Sequence, residues 1–282
     1  MGMNRKTCTI ISGPTAVGKT SYGIELALKY NTQIISADSR QCYKELNIGV
    51  AKPSNEQLEQ VPHYFINSHS IHDEIDVKVF EEYALKTVGK IFENNDTAIM
   101  VGGTGLYIKA FTEGLDDIPG VDENIRQEIN DQYKIHGFEW LHDEIKKHDP
   151  GFSSNGEMQN PQRMLRALEV KLSTGKSILD FHSGKKEKRD FEIENILLEL
   201  PRQEIYDNIN HRVDHMMEAG LIEEAKGLFP FRHLNALQTV GYKELFDYFD
   251  GKISLEKAVE DIKKNTRHYA KRQMTWFRKY MA

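Results

Sequence analysis

The chain has 282 residues, 39% of them hydrophobic and 28% charged, with a formal net charge of −6. That describes a globular chain of one large or two small domains, with no apolar run long enough to span a bilayer. Two cysteines, Cys8 and Cys42, exclude a disulfide framework and any cysteine-rich zinc module and fit a reducing cytoplasm, and Met1 to Lys6 lack the apolar core of a signal peptide.

In chain order, Thr9, Ile10 and Ile11 predict a short buried strand. The next stretch, Gly13-Pro14-Thr15-Ala16-Val17-Gly18-Lys19-Thr20, fits G-x-x-x-x-G-K-[ST], the P-loop pattern. Its glycines let backbone N–H groups close around phosphate oxygens. Lys19 adds a point charge, and the Thr20 hydroxyl is a candidate Mg²⁺ ligand. Ile24, Leu26, Ala27 and Leu28 then predict a helix, so the loop opens a helix N-terminus, a natural anion site. The motif implies a bound di- or triphosphate without saying what becomes of it.

A second strand is expected over Gln33 to Ala37, a helix over Val79 to Phe92, and a third strand over Thr97 to Val101. Gly114 to Asp122 reads as a linker, and Glu123 to Phe181 as helical throughout. Within that region Asn160-Pro161 is a helix start and Gly175 a helix stop. Ser183 to Asp190 reads as a charged loop, Ile196 to Leu200 as a returning strand, and the remainder as helices. The expected fold is therefore α/β: a P-loop NTPase-like core with a parallel sheet, over 1–113 and 196–282, interrupted by an all-helical insertion over 114–195.

Ligands of open α/β sheets bind beyond the C-terminal ends of the strands. Three candidate stretches fall there: the P-loop, Asp38-Ser39-Arg40-Gln41, and Gly102-Gly103-Thr104-Gly105. Asp38 has three readings, as a Mg²⁺ ligand, a cap for the following turn, or a general base. The net charge argues against nucleic acid, but its distribution does not. Lys263 to Ala282 carries seven basic residues and no acidic one, against 30 basic and 43 acidic residues elsewhere. Such a stretch is either a solvated helix face or a footprint for a polyanion.

These motifs form an ordered set. The P-loop is followed by Asp-Ser-Arg-Gln-Cys-Tyr-Lys-Glu-Leu-Asn-Ile-Gly-Val-Ala-Lys-Pro (38–53), Gly-Gly-Thr-Gly-Leu-Tyr (102–107) and Asn-Pro-Gln-Arg-Met-Leu-Arg-Ala-Leu-Glu-Val (160–170). Then come His211-Arg212-Val213-Asp214, Val-Gly-Tyr-Lys (240–243) and Ala-Lys-Arg-Gln-Met-Thr-Trp-Phe-Arg (270–278). The set resembles the tRNA dimethylallyltransferases, the bacterial tRNA isopentenyltransferases, from about Ile10 to Arg278. The resemblance implies transfer of a dimethylallyl group from dimethylallyl diphosphate to N6 of adenine 37 in tRNAs reading codons that begin with U, with Mg²⁺ assisting. Gly13, Pro14, Thr15, Ala16, Val17, Gly18, Lys19 and Thr20 would then hold the diphosphate. By the same resemblance Thr15 contacts the bridging oxygen, Asp38 accepts the N6 proton, and Arg212 reaches the diphosphate from the far side.

Contacts to tRNA carry over to Asp38, Ser39, Arg40 and Gln41, to Thr104 and Arg126, and to Gln162, Arg163, Met164, Leu165 and Arg166. They also carry over to Gln238, Thr239, Val240, Gly241, Tyr242 and Lys243. Arg163 and Arg166, three apart on one helix face, the loop Lys185-Lys186-Glu187-Lys188-Arg189 and the basic C-terminal stretch are the candidate phosphate contacts. The insertion resembles the family's anticodon-arm domain, and the expected partners are tRNA and dimethylallyl diphosphate, with no membrane and a monomeric chain. The alternatives are an adenylate isopentenyltransferase acting on free AMP or ATP, and a P-loop small-molecule kinase. Asn67-Ser68-His69-Ser70-Ile71-His72 departs from the commoner family wording, and His63, His69 and His72 have the composition of a metal cluster.

Overall fold

A computed structural model describes residues 5–280. The chain starts with β1 (Thr7–Ser12), whose residues are almost continuously buried, as a strand covered on both faces requires. After the P-loop come α1 (Lys19–Lys29), β2 (Ile34–Ala37), α2 (Asn55–Gln60), the two-residue β3 (His63–Tyr64), α3 (Val77–Asn94), β4 (Thr97–Gly102) and α4 (Gly105–Glu113). A helical stretch follows: α5 (Glu123–His148), α6 (Pro150–Asn155) and α7 (Pro161–Thr174). The chain then adds β5 (Glu192–Leu197), α8 (Arg202–Glu218), α9 (Leu221–Leu228), α10 (Tyr242–Phe249) and α11 (Leu255–Tyr280).

The five strands form one parallel sheet in the order β3-β2-β4-β1-β5. Ser12 pairs with Gly102 on one side and Leu197 on the other, and Ala37 also pairs with Gly102. The strand ends thus lie in register. The P-loop, Asp38 and Gly103 all leave from the same sheet edge, where ligands of such sheets bind.

The returning strand is a correction. It occupies Glu192–Leu197, beginning four residues before the expected 196 to 200 and overlapping it only at 196 and 197. β5 is an edge strand with exposed Glu192 and Glu194, so it lacks the apolar run that marks its buried neighbours. β3 and α2 were invisible to periodicity because each is too short to show one.

The chain divides into two compact units, Met1–Gly114 with Lys188–Ala282, and Leu115–Glu187. The second unit is helical and has its own core, built on Ile129, Leu141, Ile145, Phe152, Met164 and Leu168. Gly137, at φ +72°, breaks α5 into two helical pieces. Asn160 caps α7 by accepting from Arg163 N–H, Pro161 takes the first turn, and Gly175 closes it at φ +76°. Among the described residues no helix is long and apolar enough to cross a membrane.

Arg189 is not a free loop cation. Its guanidinium donates to the carbonyls of Phe111 (2.8 Å) and Ala110 (2.7 Å) at the end of α4, and pairs with Glu81 of α3 at 2.7 Å. Cations suit a helix C-terminus, where carbonyls lack helical partners. Both members of the ion pair are largely buried, so deleting one strands the other. Arg189→Met should destabilise the protein by about 3–5 kcal/mol, read as a lower midpoint in urea at unchanged slope.

Candidate phosphate-binding active site

The P-loop turn works because three of its residues take left-handed backbone angles: Gly13 (φ +146°), Ala16 (φ +66°) and Gly18 (φ +97°). At Gly13 a glycine is also required sterically. A Cβ there would stand 2.6 Å from the Leu198 carbonyl oxygen, at the exit of β5. Gly18 begins α1 with no side-chain cap, so the first N–H groups of that helix are left for an anion.

Lys19 Nζ donates to the Pro14 carbonyl at 2.7 Å, folding the cation back over its own loop. Removal from water pushes its pKa down to about 7, with Asp38 opposing the shift and Arg212 reinforcing it. Thr15 is held at both ends. Its N–H donates to Gln273 Oε1 at 2.8 Å, and its hydroxyl oxygen accepts from Arg212 Nη1 at 3.1 Å. Arg212 stands on α8, whose buried stripe is Ile205, Ile209 and Val213.

Asp38 follows β2. Its Oδ1 accepts from Arg40 N–H (2.8 Å) and Gln41 N–H (3.2 Å), so it caps the turn after the strand. Both bonds use the same oxygen. Next to it, Thr104 Oγ1 accepts from Ser39 N–H at 3.1 Å, while Thr104 N–H donates to Ala37 O at 3.1 Å. Tyr269 of α11 walls the site beside them, and burial pushes its hydroxyl pKa up to about 12.

Two adjoining cavities, of ≈ 170 and ≈ 230 Å³, share Thr15, Asp38, Val50, Ala51, Arg212 and Tyr269 as walls. The first runs from the P-loop past Lys19 and Thr20 to the apolar side chains of Ile34, Ile66 and Val101. The second is edged by Ser39, Arg40, Thr239, Val240 and Gly241. A diphosphate at the first and a planar polar group at the second would meet at Thr15, Asp38 and Arg212. Thr20, Ser36 and Asp38 supply hard oxygen donors along the first cavity. That set fits Mg²⁺, which binds through one or two protein oxygens and keeps the rest for phosphates and water.

Other expected residues have different surroundings. Gln41 donates its amide to the carbonyls of Val50 (3.2 Å) and Ala51 (3.0 Å), so it holds the cavity wall. Tyr242 is a correction: it is fully buried, and its hydroxyl donates to Glu224 Oε1 at 2.6 Å. The other bonds to that carboxylate come from the backbone N–H groups of Asn47 (3.2 Å), Ile48 (2.8 Å) and Gly49 (3.0 Å), which latch the loop bearing Val50 and Ala51. A Cβ on Gly49 would meet the Tyr242 ring at 2.6 Å. Gln238 donates to Arg232 O, and Lys243 is exposed.

Met164 and Leu165 are a further correction, because both are buried in the helical unit's core and offer no side chain to RNA. Gln162 is exposed, Arg163 pairs with Glu157, and Arg126 and Arg166 both approach Glu169, at 3.6 and 3.5 Å. The three histidines do not converge. His63 bonds Val61 O, His69 bonds Ser68, and His72 meets the edge of Phe231. Among the described residues no group of three or more His, Cys, Asp or Glu could hold a metal.

Tyr269 and Gln273 escaped the sequence reading. The available signal was their spacing on α11, where Ile262, Thr266, Tyr269 and Gln273 recur on one face. Polar groups on the buried stripe of a helix demand partners, and here those partners are the site.

The IPP transferase family model matches residues 41–280. The chain is 50% identical over 269 residues to a tRNA dimethylallyltransferase of Christiangramia forsetii, covering 95% of this chain and 89% of that protein. To the tRNA dimethylallyltransferase of Cytophaga hutchinsonii it is 43% identical, covering 99% and 92%. Among solved structures, a tRNA isopentenylpyrophosphate transferase from Bacillus halodurans matches with a TM-score of 0.69 at 38% identity, covering 97% and 87%. A eukaryotic dimethylallyltransferase acting on tRNA matches at 0.79 and 27% identity, covering 96% and 70%.

The depressed Lys19 pKa has a pH consequence. A bound diphosphate favours the ammonium and raises its pKa, so binding near and above pH 7 takes up a proton. Affinity for inorganic diphosphate should be highest below about pH 7 and fall as pH rises through it. Calorimetry at pH 8 in buffers of different ionisation enthalpy should show proton uptake, and Lys19→Ala should abolish it.

Proposed function

This chain belongs to the IPP transferase family and is a tRNA-modifying transferase; on that premise we propose that it moves a dimethylallyl group from dimethylallyl diphosphate to N6 of adenine 37. The observation that carries the reading is the pair of joined cavities. Lys19 and the P-loop lie at one end, Arg40, Thr239 and Gly241 at the other, and Thr15, Asp38 and Arg212 where they meet. Stacked adenine must leave the anticodon loop to enter such a site.

In the reaction the N6–C1 bond forms as the C1–O bond to diphosphate breaks. The exocyclic amine is a poor nucleophile, since its lone pair is delocalised into the ring. Asp38 takes the N6 proton, using the oxygen that does not cap the turn. Arginine has donors only, so the Thr15 oxygen is the acceptor in their contact and the Thr15 hydrogen is turned elsewhere. It is thereby available to the bridging oxygen of the leaving group. Lys19, Arg212 and the free N–H groups of α1 hold the charge that develops there. Mg²⁺, held by Thr20, would supply further neutralisation of the departing diphosphate.

With labelled dimethylallyl diphosphate, label should pass to tRNA and not to AMP; labelling of AMP alone would replace this reading with a free-nucleotide transferase. Asp38→Asn keeps the capping oxygen and loses the base. It should slow transfer about 10²–10⁴-fold at unchanged thermal stability.

For tRNA binding, the exposed Arg163 and the half-buried Arg166 on α7 are the proposed phosphate contacts of the helical unit. Arg163→Ala with Arg166→Ala should reduce the slope of log affinity against log salt by about two units. Donor binding should not change.

A further inference from the structure

We propose that Gln273 is a positioning residue for prenyl transfer, its amide locking the backbone of Thr15 to Gly103 and so fixing where the Thr15 hydroxyl stands. The inference rests on the functional reading above.

Gln273 is buried on α11 and faces the first cavity. Its Oε1 accepts from Thr15 N–H at 2.8 Å and its Nε2 donates to the Gly103 carbonyl at 2.9 Å. The partners fix the amide's orientation, because an N–H can meet only its oxygen and a carbonyl only its NH₂.

The place of this bridge in the sheet gives it its meaning. The β1–β4 ladder ends at Ser12 and Gly102. Beyond that pair the two chains separate into the P-loop and the 103–105 turn, with no ladder bond to hold them. Gln273 spans the gap as a further rung, supplied by a side chain. Gly103 is shaped for it: a Cβ there would lie 2.3 Å from Gln273 Nε2.

Thr15 is consequently gripped twice, by Gln273 at its backbone and by Arg212 at its hydroxyl. With its N–H turned into the protein, the hydroxyl is the part of Thr15 that meets the donor. Gln273 itself does no chemistry. It sets the position from which Thr15 donates, and displacements of about an ångström at reacting groups cost on the order of 10²-fold in rate.

Gln273→Met keeps the volume and removes both bonds. Single-turnover transfer from dimethylallyl diphosphate to tRNA separates the rate constant from the fraction of active enzyme. The expected result is a rate constant lower by roughly 10–100-fold, with wild-type amplitude and tRNA affinity unchanged. A wild-type rate constant, whether at full or reduced amplitude, overturns the proposal: reduced amplitude would mean that Gln273 only holds the fold. If Gln273→Met is not recovered folded, Gln273→Asn, one methylene too short to reach both partners, is judged by the same criteria. A wild-type enzyme that transfers no prenyl group sinks the functional reading, a failure distinct from an unaffected variant.

Discussion

The site depends on how little room there is where the parallel strands end. Gly13 leaves β1 with the Leu198 carbonyl where a side chain would stand, and Gly102 leaves β4 with a Cβ position only 2.2 Å from Ala37 O. The backbones can then approach closely enough for their turns to share one cavity. Bulk at either position would splay the strand exits and separate Thr15 from Asp38. The chemistry is thus set first by an absence of atoms, and only afterwards by the polar groups gathered there.

Those polar groups are held under electrostatic tension. Lys19 and Arg212 are both disfavoured as cations by loss of water, and Asp38 offsets this for Lys19 only in part. A cavity with two poorly solvated cations is a good receptor for a polyanion, because the anion supplies what water no longer does. In the proposed reaction the same arrangement would act on the transition state, where negative charge grows on the leaving diphosphate. Arg212 and Thr15 already touch at 3.1 Å, so that pair would be in place for the proposed step.

The P-loop, the second and third strands and the boundaries of α7 were legible because each carries a local cause: a glycine pattern, a continuous apolar run, an Asn-Pro start and a Gly stop. β5 was misplaced because an edge strand need not be apolar, and Glu192 and Glu194 show it. Met164, Leu165 and Tyr242 were drawn into the RNA set by lying between polar neighbours in a motif. A motif is a stretch of sequence, whereas a helix turns each residue to its own side. Gln273 and Glu224 were illegible for a different reason. Their partners are backbone groups 258 and about 176 residues away, and no spacing rule reaches that far.

The Glu224 latch bears on how this protein can vary. It grips Asn47, Ile48 and Gly49 by their main-chain N–H groups, not by their side chains. The identity of exposed Asn47 is therefore decoupled from the position of the wall it precedes, whereas Ile48 also packs its side chain against the core. Evolution or a designer can exchange Asn47 without moving Val50 and Ala51. Glu224 itself has no such freedom, and neither does Gly49 beneath the Tyr242 ring. Sequence drift should therefore be tolerated at position 47, inside the motif, while control of the wall sits on α9, which carries none of it.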